Sequence, residues 1–272
     1  MKFRTVIAIS FATASVWAGD SGWSGKAPIT EKAPIEECYD LGGEISAGYR
    51  TDYILHGLRV DRDAVWVDVN YTFTDFYFPI RFGAAHTSGT DAVFPFDFIG
   101  PIDTTDVYLA ADFENVAGFD VTVGYLHRFL NFGLPFIEGI NYGELSLDIR
   151  RDLGFATFFV GSTVGLNSMD SFFAAGGGDG WLYRAGLEKE IPLCDAASLY
   201  LTGGVGYHDN FFYDIPGSSD WSHYFLTASL PIQLNCRTTL TPYIGYNGVQ
   251  QWDVYSPQGD ALHGGVSLSV SF

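Results

Sequence analysis

From Ala64 to Phe73 the chain sorts its residues onto two faces. Val65, Val67, Val69, Tyr71 and Phe73 share one, and Trp66, Asp68, Asn70 and Thr72 share the other. A period of two marks a β-strand, whose successive side chains point to opposite sides of the sheet. The C-terminal segment repeats the pattern, with Leu262, Val266, Leu268, Val270 and Phe272 alternating against His263, Ser267, Ser269 and Ser271. The same period predicts strands at 44–57, 64–74, 77–87, 105–115, 119–130, 141–151, 155–167, 181–192, 198–208, 221–234, 239–249 and 262–272.

The connectors between these strands alternate in length. Short turns are expected near Asp75, Ala117-Gly118, Asp152 to Gly154, Cys194 to Ala197 and Asn235 to Arg237. The intervening loops are longer, from Ser88 to Thr104, Asn131 to Ile140, Ser168 to Gly180, Asp209 to Asp220 and Gln250 to Ala261. Of the connectors on that side, only the first, around Val60 to Asp63, is brief. Short turns at one rim and long loops at the other are the plan of an outer-membrane barrel with its short side periplasmic. Strands of about 10 to 13 residues match the tilted length that crosses the hydrocarbon. Lipid offers backbone groups no hydrogen bonds, so a sheet in the membrane must pair every strand, which closure achieves. The expected fold is therefore all-β, a transmembrane antiparallel up-and-down β-barrel of about 12 strands. Tyr53, Tyr77, Trp181, Tyr207, Trp221 and Trp252 stand near strand ends, where interfacial aromatic girdles belong.

The N-terminus changes the picture of the precursor. Lys2 and Arg4 precede an apolar stretch from Val6 to Ala18 that ends in Val16-Trp17-Ala18, the layout of a signal peptide over 1–18. Residues 19–41 are small and polar, with an echo of Lys26-Ala27-Pro28-Ile29 in Lys32-Ala33-Pro34-Ile35, and read as a flexible periplasmic segment ahead of a barrel over 42–272. Gly, Asp, Asn, Arg or Ser interrupts every later apolar run, which disfavours helical membrane spans.

Composition supports this plan. Aromatic residues make up 17% of the chain and glycines number 32, an enrichment without long apolar runs that suits a barrel. Mean hydropathy is +0.10. The formal charge of −18 falls by two, to −20, when Lys2 and Arg4 leave with the leader, which disfavours nucleic acid as a partner.

Two further resemblances follow from particular residues. The run Gly265 to Phe272 resembles the assembly signal of outer-membrane barrels, an alternating strand ending in a C-terminal Phe, and implies recognition of Phe272 by the barrel assembly machinery. The segment Ser46 to Leu58 resembles the first strand of the TorF-type putative porins: Thr51, Asp52, Tyr53 and Gly57 match, while His56 stands where that family usually has Arg. That resemblance implies an outer-membrane, porin-like location.

Alternation assigns Arg50, Asp52, Asp68, Arg128, Glu144, Arg150 and Arg184 to the inner face, as the expected lining of the lumen. Their carboxylate-rich company (Glu44, Asp106, Asp112, Glu114, Asp120, Asp148, Glu188 and Glu190) admits two readings: a water-filled path mildly favouring cations, or Arg-carboxylate pairs that plug a narrow barrel. Passive diffusion of small solutes or ions is the expected activity. The alternatives are a non-conducting structural or adhesive barrel acting through loops such as Val93 to Ile99, and an outer-membrane lipid hydrolase. For hydrolysis the histidines at 56, 86, 127, 208, 223 and 263 are scattered over separate strands, and His263 and Ser267 are about 13 Å apart along theirs. No catalytic, metal-ligating or cofactor-binding residue is expected, and outer-membrane lipid is the expected surrounding. Cys194 and Cys236 fall in short turns on one rim and are expected to form a disulfide if their Cα atoms come within about 7 Å, with Cys38 as the competing partner or spare thiol.

Overall fold

The computed structural model describes residues 41–92, 100–132, 140–166, 180–209, 220–249 and 259–272. The expected signal peptide, the N-terminal segment with Cys38, the Val93–Ile99 loop and Trp252 lie outside them. Among the described residues there is no helix. The strands are β1 (Gly43–Leu55), β2 (Leu58–Phe73), β3 (Ile80–Ser88), β4 (Asp91–Ala92), β5 (Ile102–Val116), β6 (Phe119–Phe132), β7 (Ile140–Asp152), β8 (Thr157–Leu166), β9 (Trp181–Cys194), β10 (Ala197–Asp209), β11 (Asp220–Ser229), β12 (Ile232–Asn235), β13 (Thr238–Val249) and β14 (Ala261–Ser271).

Every pairing is antiparallel, and β1 pairs with both β2 and β14, so the sheet closes on itself. β11 and β12 share one position in the wall, interrupted at Leu230-Pro231, and β4 is a two-residue addition against β2. The result is the closed antiparallel barrel of twelve wall strands that alternation predicts. The break in the strand expected at 221–234 falls where Pro231 has no N–H to give the ladder. At the seam Phe272 exchanges backbone hydrogen bonds with Gly43, at 2.9 and 3.1 Å, so the last residue locks the barrel shut.

The two faces differ as the pattern requires. Val65 (55% exposed), Val67, Val69, Leu109, Leu226 and Leu268 project outward, while Ser46, Asp68, Asp106, Glu144, Asp148, Thr241 and Ser269 on the alternate positions are buried inside. An outside that is apolar around the ring and an inside that is polar is the arrangement that lipid selects. Trp181, Tyr183, Tyr207 and Trp221 touch in sequence around the long-loop rim, with ring centroids 5.9, 6.3 and 5.8 Å apart, as an interfacial girdle.

Three expectations need correction. The first connector is not a loop at Val60 to Asp63; it is a turn at His56-Gly57, and β2 begins at Leu58. Tyr53 belongs to no girdle, because its side chain is fully buried inside the barrel. Cys194 is a free, exposed thiol and Cys236 is disulfide-bonded, so the two do not pair. Cys194 ends β9, and Cys236 follows β12 on the far side of β10. Two strand spacings are about 10 Å, beyond the roughly 7 Å that a disulfide tolerates.

Candidate functional site

The inner surface divides into two arcs. From β1 to β9 it is charged, and each inward arginine has an anionic or polar partner. Arg81 donates to Asp112 at 2.8 Å, Arg150 donates to Glu188 at 3.2 Å, and Arg184 stands 4.0 Å from Asp148. Asp68 accepts from the Tyr108 hydroxyl and from Asn70, both at 2.9 Å. Arg50 is fully buried, donates to Thr87 at 3.3 Å and lies over the rings of Tyr53 and Trp66. Burying these cations is tolerable only because each is paired or stacked.

The second arc is neutral. The strand residues 197–208, 221–229, 232–235, 238–248 and 261–271 contain no Asp, Glu, Lys or Arg. Here rings fold flat against the wall, each across a glycine directly opposite on the next strand: Phe225 on Gly204, His223 on Gly206, Tyr243 on Gly265 and His263 on Gly245, a device that Phe159 on Gly186 begins at the edge of the charged arc. A Cβ on Gly206 would come within 2.3 Å of the His223 ring, so only a residue without one lets the ring lie down.

The centre of the site is the tip of the first hairpin. β14 pairs with β1 only as far as Arg50 opposite Gly265, and β3 pairs with β2 only as far as Val65 opposite Ser88. Beyond those points the two strands pair with each other, and β2 with β4, and the hairpin leaves the wall and folds into the barrel. Its residues Tyr53, Leu55, Val60 and Ala64 pack on Ile102, Leu130 and Tyr142 of β5, β6 and β7 as a buried apolar cluster. Asp61 fastens it by accepting from the backbone N–H groups of Asp91 at 2.7 Å, Ile102 at 2.8 Å and Arg62 at 2.9 Å. The pair of Asp52 and Arg59, 3.4 Å apart, ties the two limbs of the hairpin.

At the tip His56 Nε2 donates to Glu144 Oε1 on β7 at 2.9 Å, since a carboxylate can only accept. Glu144 also receives Arg128 Nη1 at 3.4 Å, and Arg128 holds Asp106 through two bonds of 2.8 and 2.7 Å. On the opposite side Asn247 of β13 donates to the Gly57 carbonyl at 2.7 Å. Gly57 has a left-handed φ of 87°, and a Cβ there would meet the His223 ring at 2.3 Å. The tip therefore bridges β7 on one side and β11 and β13 on the other.

All seven residues expected to line the lumen are buried or nearly so. The structure brings Arg128 and Glu144 together, and it moves Asp52 from the wall into the inward hairpin. Arg150 and Arg184 hold separate partners, Arg50 sits at the hairpin base, and Asp68 is held apart from them. Sequence reasoning missed His56, Gly57, Asn247 and His223 as an inner constellation. The available signal was Tyr53-Ile54-Leu55, three consecutive apolar residues that break the alternation; in the structure Asp52 to Leu55 are all buried. A strand buried on both faces does not sit in a membrane wall.

Taken together, these features define an outer-membrane-type β-barrel with an inward-folded first hairpin. Among solved structures the chain is similar to the COG4313 outer membrane channel from Pseudomonas putida, with a TM-score of 0.59 and 12% identity over 89% of this chain and 100% of that one. It is also similar to a KdgM porin in complex with disordered oligogalacturonate, with a TM-score of 0.51 and 9% identity over 84% of this chain and 99% of that one. These likenesses establish the shared fold. The sequence matches no family model and no curated protein.

Proposed function

We propose that this protein is an outer-membrane channel for passive diffusion of small solutes or ions. The observation that carries the reading is the closed barrel whose outside is apolar and whose inside is polar, charged and divided into a paired arc and a smooth neutral arc. Rings lying flat on glycines keep bulk out of the bore. The two likenesses that show the fold are to a channel and a porin, and the TorF-type first strand agrees with that class.

The inner carboxylates Asp52, Asp61, Asp68, Asp106, Asp112, Glu144, Asp148 and Glu188 outnumber the inner arginines at 50, 59, 81, 128, 150 and 184, eight to six, which favours cations over anions. The KdgM structure holds oligogalacturonate, a polyanion; the charge balance here argues against such a solute for this chain. No enzyme chemistry enters this reading: His56 is engaged by Glu144, His223 by Ser222, and His263 lies against Tyr243. Outer-membrane lipid surrounds the barrel, and the Phe272 terminus serves its assembly; deleting Phe272 is expected to lower the yield of heat-modifiable barrel in cell envelopes.

Single-channel conductance of the refolded chain from Gly19 to Phe272 in a planar bilayer tests the proposal. Reproducible steps with cation preference under a salt gradient are expected. A folded, inserted barrel that stays electrically silent both as wild type and in variants that free the first hairpin would refute it and make lipid hydrolysis the next assay.

A further inference from the structure

We propose that the β1–β2 hairpin is the strap that sets the bore of this channel, and that His56 and Glu144 are the groups that select the solute passing it. The inference deepens the channel reading and rests on it.

The two ends of the strap are held differently. Its body is fixed to β5, β6 and β7 by the apolar cluster around Tyr53, Leu55 and Val60, and by the bond from the Ile102 N–H to Asp61, which also accepts from Asp91 of β4. Its tip is held by polar side-chain contacts, among them His56 to Glu144 and Asn247 to Gly57. An apolar cluster of this kind resists opening far more than individual side-chain hydrogen bonds, each worth about 0.5–3 kcal/mol. The tip is thus the part that yields, and the wall strands it has left, ending their pairing at Arg50 and Val65, provide the hinge.

The tip also stands in the path. It touches β7 at Glu144 and β11 and β13 at His223 and Asn247, so it reaches across the interior between opposing walls. The wall side chains that meet it, His223, Asn247 and Glu144, are each at most 2% exposed. A solute crossing the barrel must pass this level, and the charge it meets there is the Glu144 carboxylate shared by His56 and Arg128. Releasing His56 from Glu144 widens the passage, and removing the carboxylate weakens cation preference.

Three substitutions free the tip by unrelated means: His56→Ala removes one anchor, Asn247→Ala removes another, and Gly57→Val adds a Cβ where the His223 ring lies. A fourth, Glu144→Gln, keeps the size of the side chain and removes its charge. Each refolded protein is checked by heat-modifiable gel migration and then measured in a planar bilayer. The tip-freeing variants are expected to raise unitary conductance about twofold or more, and Glu144→Gln to lower the cation-to-anion permeability ratio by about twofold. A silent wild type with conducting tip-freed variants also supports the strap. If the wild type conducts and every folded variant matches it, the strap is overturned while the channel reading stands. Silence in all five proteins overturns both.

Discussion

Arg128 is the residue on which the buried charge of the β5–β7 wall turns, and Arg128→Met isolates what it does. The guanidinium is fully buried and makes two short bonds to Asp106 and a longer one to Glu144. Methionine retains an unbranched apolar stem but leaves the Asp106 carboxylate, itself 3% exposed, without its cation. Glu144 keeps His56, so most of the loss falls on Asp106. Breaking a buried pair by removing one partner costs about 3–5 kcal/mol, because the remaining charge stays desolvated. Removing both partners, in Asp106→Asn with Arg128→Met, is expected to recover much of that loss. Urea unfolding of the chain from Gly19 in phospholipid vesicles, followed by the fluorescence of its five tryptophans, measures both variants. A single variant within about 1 kcal/mol of wild type, or a double variant as unstable as the single, would refute the reasoning that desolvated charge governs this wall.

Two other outcomes are expected. Val67→Arg places a cation on the outer face in the middle of the wall portion of β2 and is expected to cost about 2–4 kcal/mol in the same unfolding experiment; a loss below about 0.5 kcal/mol would mean that this face does not meet hydrocarbon. Alkylation without reductant is expected to label Cys194 in full and Cys236 only after reduction, as resolved by peptide mapping.

How much of this was legible depends on what each segment faces. Val65 to Phe73 reads correctly because one side meets lipid and the other does not, and the two solvents impose opposite side chains on alternate residues. The strand count and the two unequal rims follow for the same reason. Asp52 to Leu55, with Val60 and Asp61 on the second limb, leave the wall and are buried by protein, so the rule that identifies wall strands has no purchase there. Alternation also places Arg128 and Glu144 on the inner face without revealing that they meet, since register and reach decide contact. The cysteine expectation failed by counting turns along a rim, where the relevant measure is the number of strand spacings between them.

The rings that lie across glycines have a consequence for how the barrel finds its register. Gly265 receives Tyr243 and Gly245 receives His263 across the same pair of strands, β13 and β14. Sliding β14 by one residue would reverse its faces, and sliding it by two would carry a side chain bearing a Cβ under at least one ring. The glycines thus act as keyways cut for particular teeth: the closing strand of an otherwise repetitive Ser-and-Val sequence fits its neighbour at one offset, and a substitution at a keyway is tolerated only if the ring opposite is trimmed with it.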